Sequence, residues 1–507
     1  MLGLILYTPN LYENMLRDTL KQTRLLFGPA IYKKTIPEDH YYRKLDGCID
    51  WKRPDALCRH LYCENNGRPV KNFPRMMFKA EVLQYLYNWT DREVREQALY
   101  NIAVKWFLEL GLDEEPFDFT ALSKFRTKLG KEMHTKLLVD ILQQIKEAGF
   151  LDHILQFTDT TAVEGDVAVC TTAQLIVNAC TLVIKRLKEE GYTVAVTFEK
   201  KEQLQTIVEK AYILLEETEH VGEVEYEREM LKSILEDYIE IKDGKAQERK
   251  KKGKNRIVSV TDPDVRWGAK SDDEMWVGYK TGFTMTENRF ITSVMVTPAS
   301  VADDKFAIPL YEQQMYPPET LVGDGAFGTG ENRQYFKAKE CTLAAPLRGQ
   351  ENRTKLFPKS KFKWDDHTVT CPAGKTTEKF TENKRSKCYA YRFSKTDCQS
   401  CPLKCQCTTG QFRTVSISYY QKEFDEAAEF NNTPEYKALM KKRPLIESKN
   451  SEMKHPHGMY RARYRGVDRV TIQALLTAIV VNLKNFIRLL QEAAQQASQR
   501  KLSISSG

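Results

Sequence analysis

Leu321-Val322-Gly323-Asp324-Gly325-Ala326-Phe327-Gly328 ends an apolar run in an acidic residue set between glycines. The residues leading into it, Pro318-Glu319-Thr320-Leu321-Val322, have the length and composition of a short buried strand. Glycines at 323, 325, 328 and 330 predict a backbone that turns tightly and can be approached closely. Beyond them Glu331 opens an amphipathic stretch, Asn332 to Lys339, with the pattern of a helix. Two readings of Asp324 stand at this point. A carboxylate at the end of a central strand, uncrowded by side chains, is placed to hold a metal ion against a bulky anion such as a phosphodiester. An Asp in the same place can also simply cap the following helix.

Around this stretch the pattern is of strands and helices in alternation. Before it come Trp276 to Met285 and Phe290 to Val296, two strands joined by the hairpin connection Thr286-Glu-Asn-Arg289, then a helix over Ala302 to Met315. After it comes the strand Thr342 to Pro346. Farther upstream, Leu155-Gln-Phe-Thr-Asp159-Thr-Thr-Ala-Val163 is strand-like with an acidic residue at its middle. Such a carboxylate is costly to bury unless it is paired or binds a cation; the neighbouring Thr158, Thr160 and Thr161 offer the plainer alternative of local hydroxyl partners. Strand, insertion, hairpin, helix, strand, helix, strand is the order of a mixed sheet with flanking helices.

The flanks differ in character. Residues 1–150 are helical in pattern, with a capping box at Thr90-Asp-Arg-Glu93 and a further N-cap at Thr120 starting a helix that carries Lys124, Arg126 and Lys128. This is either a DNA-binding module or a helical bundle with solvated lysines. Residues from about 171 to 243 read as a charged helical hairpin. Gly244 to Arg256, with Lys250, Lys251 and Lys252, reads as a basic linker, solvated or laid against a phosphate backbone. Residues 350–430 are polar and hold Cys371, Cys388, Cys398, Cys401, Cys405 and Cys407. Cys398-Gln-Ser-Cys401 has zinc-knuckle spacing, so these six are either ligands of a structural Zn²⁺ or reduced, partly buried thiols. Thr433-Pro434-Glu435 starts a helix that Pro444 kinks or restarts, and Glu447 and Lys454, two turns apart, share a face that Arg443 joins one turn earlier. Arg461, Arg463 and Arg465 follow, and Val470 to about Ala497 closes the chain as an amphipathic helix.

With 507 residues the chain suggests about three domains, and 41% hydrophobic and 29% charged residues allow it to build those cores and stay in solution. The net charge of +8 is compatible with a polyanionic partner without requiring one. Leu2 to Tyr7 lacks the basic flank of a signal peptide, and the apolar run Ala474 to Leu483 is about half a membrane span. The expectation is a cytoplasmic protein without a membrane partner, whose twelve cysteines serve as thiols or ligands rather than disulfides.

Asp159, Asp324 and Glu447, in that order and setting, resemble the acidic triad of the DDE transposases of bacterial insertion sequences. The resemblance runs along nearly the whole chain. Gly67-Arg-Pro69, Leu83-Gln-Tyr-Leu-Tyr87, Thr90-Asp-Arg92, Trp106-Phe107, Leu110-Gly-Leu112 and Phe125-Arg126 are similar to the family's N-terminal helical domain. Thr261-Asp-Pro-Asp264, Gly278-Tyr-Lys280 and Val296-Thr-Pro298 through Asp303 are similar to its middle strands. Arg443-x3-Glu447-x6-Lys454 matches three members of a Tyr-Arg-Glu-Lys signature whose Tyr position is Met440 here, and His457-Gly458 through Arg465-Gly466 looks like the family's C-terminal segment.

The resemblance implies an α/β fold with an RNase H-like mixed sheet and flanking helices over 151–349 and 431–470. It adds an all-helical N-terminal domain over 1–150, a helical insertion after the first strand over about 171–256, a cysteine-rich insertion over 350–430 before the last catalytic helix, and a C-terminal helix and tail over 471–507. It implies a metal-dependent DNA transposase. Asp159, Asp324 and Glu447 would hold two Mg²⁺ (or Mn²⁺) ions ~4 Å apart, with Arg443 and Lys454 near the substrate phosphates. Asp262 or Asp264 is the alternative first carboxylate, less favoured because it sits in a Pro-containing turn. Lys124, Arg126, Lys250, Lys251, Lys252, Arg461, Arg463 and Arg465 are the expected contacts to double-stranded DNA, the element's terminal inverted repeats and the target. A homodimer is implied in the synaptic complex, at the nucleoid. The rival functions are an RNase H-like nuclease without strand transfer and a non-catalytic DNA-binding derivative, the latter having no need of the three carboxylates.

Overall fold

The computed structural model describes residues 28–62, 70–199, 201–271, 273–347, 356–365 and 367–505. Leu2 to Tyr7 and Gly67-Arg68-Pro69 lie outside them. The chain opens with α1 (Gly28–Thr35), α2 (Tyr41–Gly47), α3 (Arg53–Cys58), α4 (Pro74–Tyr87), α5 (Asp91–Tyr100), α6 (Ile102–Phe107) and α7 (Thr120–Glu147). The capping box forms: Thr90 Oγ1 accepts from Glu93 N and Glu93 accepts from Thr90 N. The helix it opens, α5, stops where Asn101 leaves helical geometry and caps α6 through Ala103 N and Val104 N. Thr120 does not cap α7; Phe119 holds the cap position, and the Thr120 hydroxyl donates to Asp118. α7 is itself broken at Gly130, where φ is +64°.

The main sheet is built from β1 (Leu155–Glu164), β4 (Arg266–Ala269), β5 (Met275–Thr286), β6 (Ile291–Pro298), β7 (Thr320–Val322) and β8 (Thr342–Ala344). Its order is β4-β5-β1-β7-β8, with β6 also paired to β5. β5 runs antiparallel to β1, β4 and β6; β7 runs parallel to β1 and β8. β4 was not foreseen. Its Arg-Trp-Gly-Ala sequence lacks alternation, and it forms because Gly268 leaves room for the Trp276 ring across the pair.

Between β1 and β4 stand α8 (Thr172–Glu189), α9 (Leu204–Glu217) and α10 (Glu225–Tyr238), followed by the hairpin of β2 (Ile239–Lys242) and β3 (Lys245–Glu248). The expected helical hairpin is therefore three helices with their own apolar core, and part of the expected basic linker is a strand. The expected helix over Ala302 to Met315 shortens to α11 (Ala307–Glu312) behind a 3₁₀ turn. α12 (Gly330–Ala338) follows β7, capped by Thr329 rather than by Asp324. Gly323, Gly328 and Gly330 are not among the positive-φ glycines. Two of them are kept for space: a Cβ at Gly328 would meet the Arg333 guanidinium, and one at Gly330 would strike the Tyr420 ring.

Residues 356 to 418 form two small three-stranded sheets, β9 (Lys363–Asp365), β10 (Thr368–Thr370) with β11 (Thr376–Thr377), and β12 (Phe380–Asn383), β13 (Cys388–Arg392) with β14 (Thr414–Ser418). The short helices α13 (Lys395–Gln399) and α14 (Lys404–Cys407) lie between β13 and β14. α15 (Gln421–Asn431), α16 (Pro434–Lys442) and α17 (Pro444–Lys454) then lead back to the main sheet. Thr433 caps α16, and Pro444 restarts the helix as foreseen.

The chain ends in α18 (Val467–Ser505), longer at both ends than expected. By length and hydropathy α18 could cross a membrane, but 89% of its most apolar window is buried inside the protein. It packs on α4, α7 and β6, so the N-terminal helices and the sheet share one apolar core with α18 between them. It is a central support rather than an appended tail.

Candidate active site

The parallel ladder of β1 and β7 fixes the first two carboxylates. Phe157 pairs with Val322, so Asp159 and Asp324 each lie two residues beyond a paired position. Side chains recur on one face every second residue, and neighbouring strands are about 4.8 Å apart. Asp159 and Asp324, the latter just past the end of β7, are therefore carried on adjacent chains, near enough for their charges to interact. Gly323 N still donates to Ala344 O, so the ladder to β8 holds right up to Asp324. Asp324 Oδ1 accepts from Ala326 N at 2.8 Å, a local turn that leaves its second oxygen outside that bond.

Asp159 sits at the middle of β1, half-buried. Its Oδ1 accepts from Thr160 N at 2.9 Å, and Asn450 Nδ2 on α17 lies 3.5 Å from its Oδ2. The Thr160 hydroxyl turns to Asp303 instead, which Lys280 Nζ also holds at 2.7 Å. Burial pushes the Asp159 carboxyl up to about 6. Arg443 pulls it down, while Asp324 and Glu447 push it further up. Asp324 and Glu447 thus both act on Asp159, against the Arg443 guanidinium.

α17 packs on β1 and brings the third group. Glu447 is exposed and accepts from Arg443 Nη1 at 3.1 Å, one turn earlier. Arg443 Nε and Asn450 Oδ1 are both buried without a hydrogen-bond partner. Lys454, two turns beyond Glu447, is half-buried; burial and Lys270 push its ammonium below the usual range, while Glu274, Asp159 and Glu164 pull it up. Arg443, at the N-cap of α17, and Glu447, Asn450 and Lys454 on it therefore form one stripe along β1. Asn450 was missed in the sequence, although its spacing from Glu447 and Lys454 places it on the same face. Among the described residues, no three His, Cys, Asp or Glu side chains are gathered tightly enough to hold a metal ion as they stand.

The expected DNA contacts divide. Lys124, Lys250 and Lys251 are exposed. Arg126 is buried: it bonds Gln84 Oε1 at 3.0 Å, pairs with Asp91, and lies 4.0 Å from the fully buried Glu81. It ties helices of the N-terminal region together and is closed to a ligand. Lys252 is drawn in to Glu248 and the Tyr238 ring. Arg463 donates to Trp89 O and Asn88 Oδ1 and lies over Tyr85, fastening the C-terminal segment to α4. Arg461 and Arg465 are exposed and share Asp166. Met440, at the signature's Tyr position, packs against the core. Of the six cysteines, Cys371, Cys398, Cys401 and Cys407 line one small cavity, whereas Cys388 and Cys405 do not.

Two family comparisons match this chain. A family described as Transposase domain (DUF772) matches residues 30–128, and one described as Transposase DDE domain matches residues 370–487. The second match takes in Arg443, Glu447, Lys454 and the cysteine-bearing segment. Comparison with curated proteins and with solved structures gives no match. The two matches, both to transposase domains and in this order, support an insertion-sequence DDE transposase.

Proposed function

We propose that this transposase cuts DNA at the ends of its own element, frees a 3′-OH there, and joins that end to target DNA at the same site. The observation that carries the reading is the mutual approach of Asp159 on β1, Asp324 just past the end of β7, and Glu447 on α17, close enough for the latter two charges to act on Asp159, with Arg443, Asn450 and Lys454 along the same side of α17. The reading takes the sheet, with its antiparallel hairpin on one side of β1 and its parallel strands on the other, as an RNase H-like core.

The donor set fits divalent cations. A half-buried carboxylate pushed up by burial and by two facing carboxylates is costly to ionise alone, and hard oxygen donors suit Mg²⁺ or Mn²⁺. Asp159, Asp324 and Glu447 would hold such ions, which would supply activation of the attacking oxygen and a counter-charge for the leaving oxygen. Arg443 and Lys454 position substrate phosphates by charge, and Asn450 orients the Asp159 carboxylate. Lys124, Lys250, Lys251, Arg461 and Arg465 take the sequence-independent phosphate contacts. Two copies meet in the complex that brings both ends together, in the cytoplasm at the nucleoid.

The test uses purified protein and duplex DNA containing the sequences that flank its own coding segment. Asp159→Ala, Asp324→Ala and Glu447→Ala should each abolish end cleavage while a gel shift with the same duplex persists. The wild-type chain should join a pre-cut end with a free 3′-OH to target DNA. Cleavage by Asp159→Ala together with its loss in Asp262→Ala overturns the first assignment. Cleavage without joining leaves a nuclease.

A further inference from the structure

The segment between β8 and α15 is short of apolar material. Its core consists of Phe362, Val369, Tyr391, Phe393, Val415 and Ile417. Six buried side chains are few for about sixty residues carrying strands of two to five residues, and domains of this size are commonly held by a metal or by disulfides. All six cysteines of the segment are free thiols.

Four of them are brought to one place by three separate turns. Cys371 follows β10 at a tight knuckle, in which its N donates to Lys375 O at 2.8 Å and Gly374 N donates back to Cys371 O at 2.9 Å. Gly374 has φ +79°, which supplies the left-handed residue the knuckle needs. Cys398 and Cys401 bracket the end of α13 with a two-residue gap, and Cys407 is the last residue of α14. Their side chains line a cavity of about 30 Å³, the room of a single small occupant. Cys388 lies elsewhere with its Sγ on the Ser386 hydroxyl, and Cys405 is exposed.

The surroundings are those of an anionic centre. Lys375, Lys404 and Arg413 line the same cavity, together with Asp397, whose Oδ1 lies 3.8 Å from Lys375 Nζ. Arg413 donates to Cys407 O and Phe357 O through its two terminal nitrogens, while its Nε is buried with no partner. A buried N–H beside neutral thiols is a cost; beside thiolate sulfur it has an acceptor.

We infer that Cys371, Cys398, Cys401 and Cys407 are the four ligands of a structural zinc ion that staples this segment. Four thiolates meet the tetrahedral requirement of a closed site, and the excess of six candidates over four resolves by position. Binding releases four thiol protons and draws the sulfurs in from their present spacing, which does not yet gather any three tightly enough for an ion. Lys404 and Arg413 then offset the net negative charge, Lys375 being paired with Asp397. The segment in turn seats Tyr420 against Gly330 at the start of α12, the helix that follows Asp324.

The test is metal analysis of the full-length chain purified under reducing conditions with zinc supplied. One zinc per chain is expected, released in step with titration by a mercurial thiol reagent. Cys388→Ser and Cys405→Ser should retain it, and the pair Cys398→Ser with Cys401→Ser should lose it. Should that pair fail to fold, cobalt exchanged into the wild-type chain keeps the claim open to refutation, since tetrathiolate ligation gives intense sulfur-to-cobalt charge transfer and tetrahedral d–d bands. Absence of stoichiometric zinc, a cobalt spectrum without thiolate bands, or zinc lost in Cys388→Ser or Cys405→Ser with the other four cysteines intact would overturn the assignment.

Discussion

The Tyr279 hydroxyl lies 2.7 and 2.6 Å from the two carboxylate oxygens of Asp262. Gly466 N reaches Asp262 Oδ1 at 3.2 Å, and Asp264 Oδ2 accepts from Val467 N at 2.9 Å. The acidic pair of Thr261-Asp-Pro-Asp264 is therefore spent on fastening the entry of α18, with Gly466 in the left-handed region at φ +91°. Removing Asp262 leaves the buried Tyr279 hydroxyl without its acceptor, while Gly466 N keeps Tyr279 Oη as a partner at 3.0 Å. Asp262→Ala should cost about 2 kcal/mol of stability, read as a lower denaturation midpoint. Its cleavage rate per folded molecule should stay within a few-fold of wild type, and Tyr279→Phe should behave alike. A folded Asp262→Ala protein with no cleavage would count against this role.

Lys124 and Arg126 stand two residues apart on α7 and should behave oppositely. Arg126→Ala leaves the buried Glu81 and the half-buried Asp91 without their cation, a loss of about 3–5 kcal/mol; that protein should be recovered largely unfolded. Lys124→Ala removes an exposed charge. Its midpoint should be unchanged, DNA affinity should fall at low salt, and the slope of log affinity against log salt should drop by about one. An unchanged salt slope in Lys124→Ala would remove α7 from the DNA surface.

Elements with strong local rules were legible in the sequence: the box at Thr90, the Pro444 restart, the hairpin around Thr286–Arg289, and the strand through Asp159. What escaped depended on contacts across the chain. Lys124, Arg126 and Lys128 look alike in one dimension, and only the approach of Glu81 and Asp91 from other helices buries the middle one. The glycines at 323, 325, 328 and 330 were expected to serve tight turning and close approach; close approach holds at Gly330, but its partner Tyr420, ninety residues later, has no signal in the sequence. β4 has no alternation to betray it. Spacing could name six cysteines as ligand candidates but could not choose four, because the choice is made by where β10, α13 and α14 end. Asn450 lies on the face that helical periodicity gives Glu447 and Lys454, but an uncharged side chain carries no signal of its own.

Asn450 bears on the site through its neighbour rather than on substrate. Its amide lies 3.5 Å from Asp159 Oδ2, the oxygen that Thr160 N does not hold. Loss of one such bond is worth about 1 kcal/mol, so Asn450→Ala should slow end cleavage about five- to tenfold. A positioning role also predicts a higher divalent-cation concentration for half-maximal cleavage, and partial rescue by Asn450→Gln. A slower rate with an unchanged cation requirement would reduce Asn450 to a packing residue.

His457 joins α4, α17 and α18. Its Nδ1 meets Tyr85 O at 2.8 Å and its Nε2 meets Lys484 Nζ at 3.1 Å; Lys484 in turn pairs with Glu452, which holds the buried Lys449. The arrangement suits a neutral ring that donates to the carbonyl and accepts from the ammonium. Burial pushes the imidazole below its ordinary 6.5, and the Lys484 and Lys449 charges add to this, against the Tyr85 carbonyl and Glu452. Between the lowered folded value and about 6.5 the unfolded chain binds more protons than the folded one, so stability rises with pH across that window and is lost as pH falls through it. A full proton of difference is worth about 1.4 kcal/mol for each pH step. Denaturation midpoints of the wild-type chain should therefore fall between pH 7 and pH 5. His457→Gln should be less stable at pH 7 yet show a flatter dependence over the same interval, and an equally steep one would place the acid sensitivity elsewhere in the molecule.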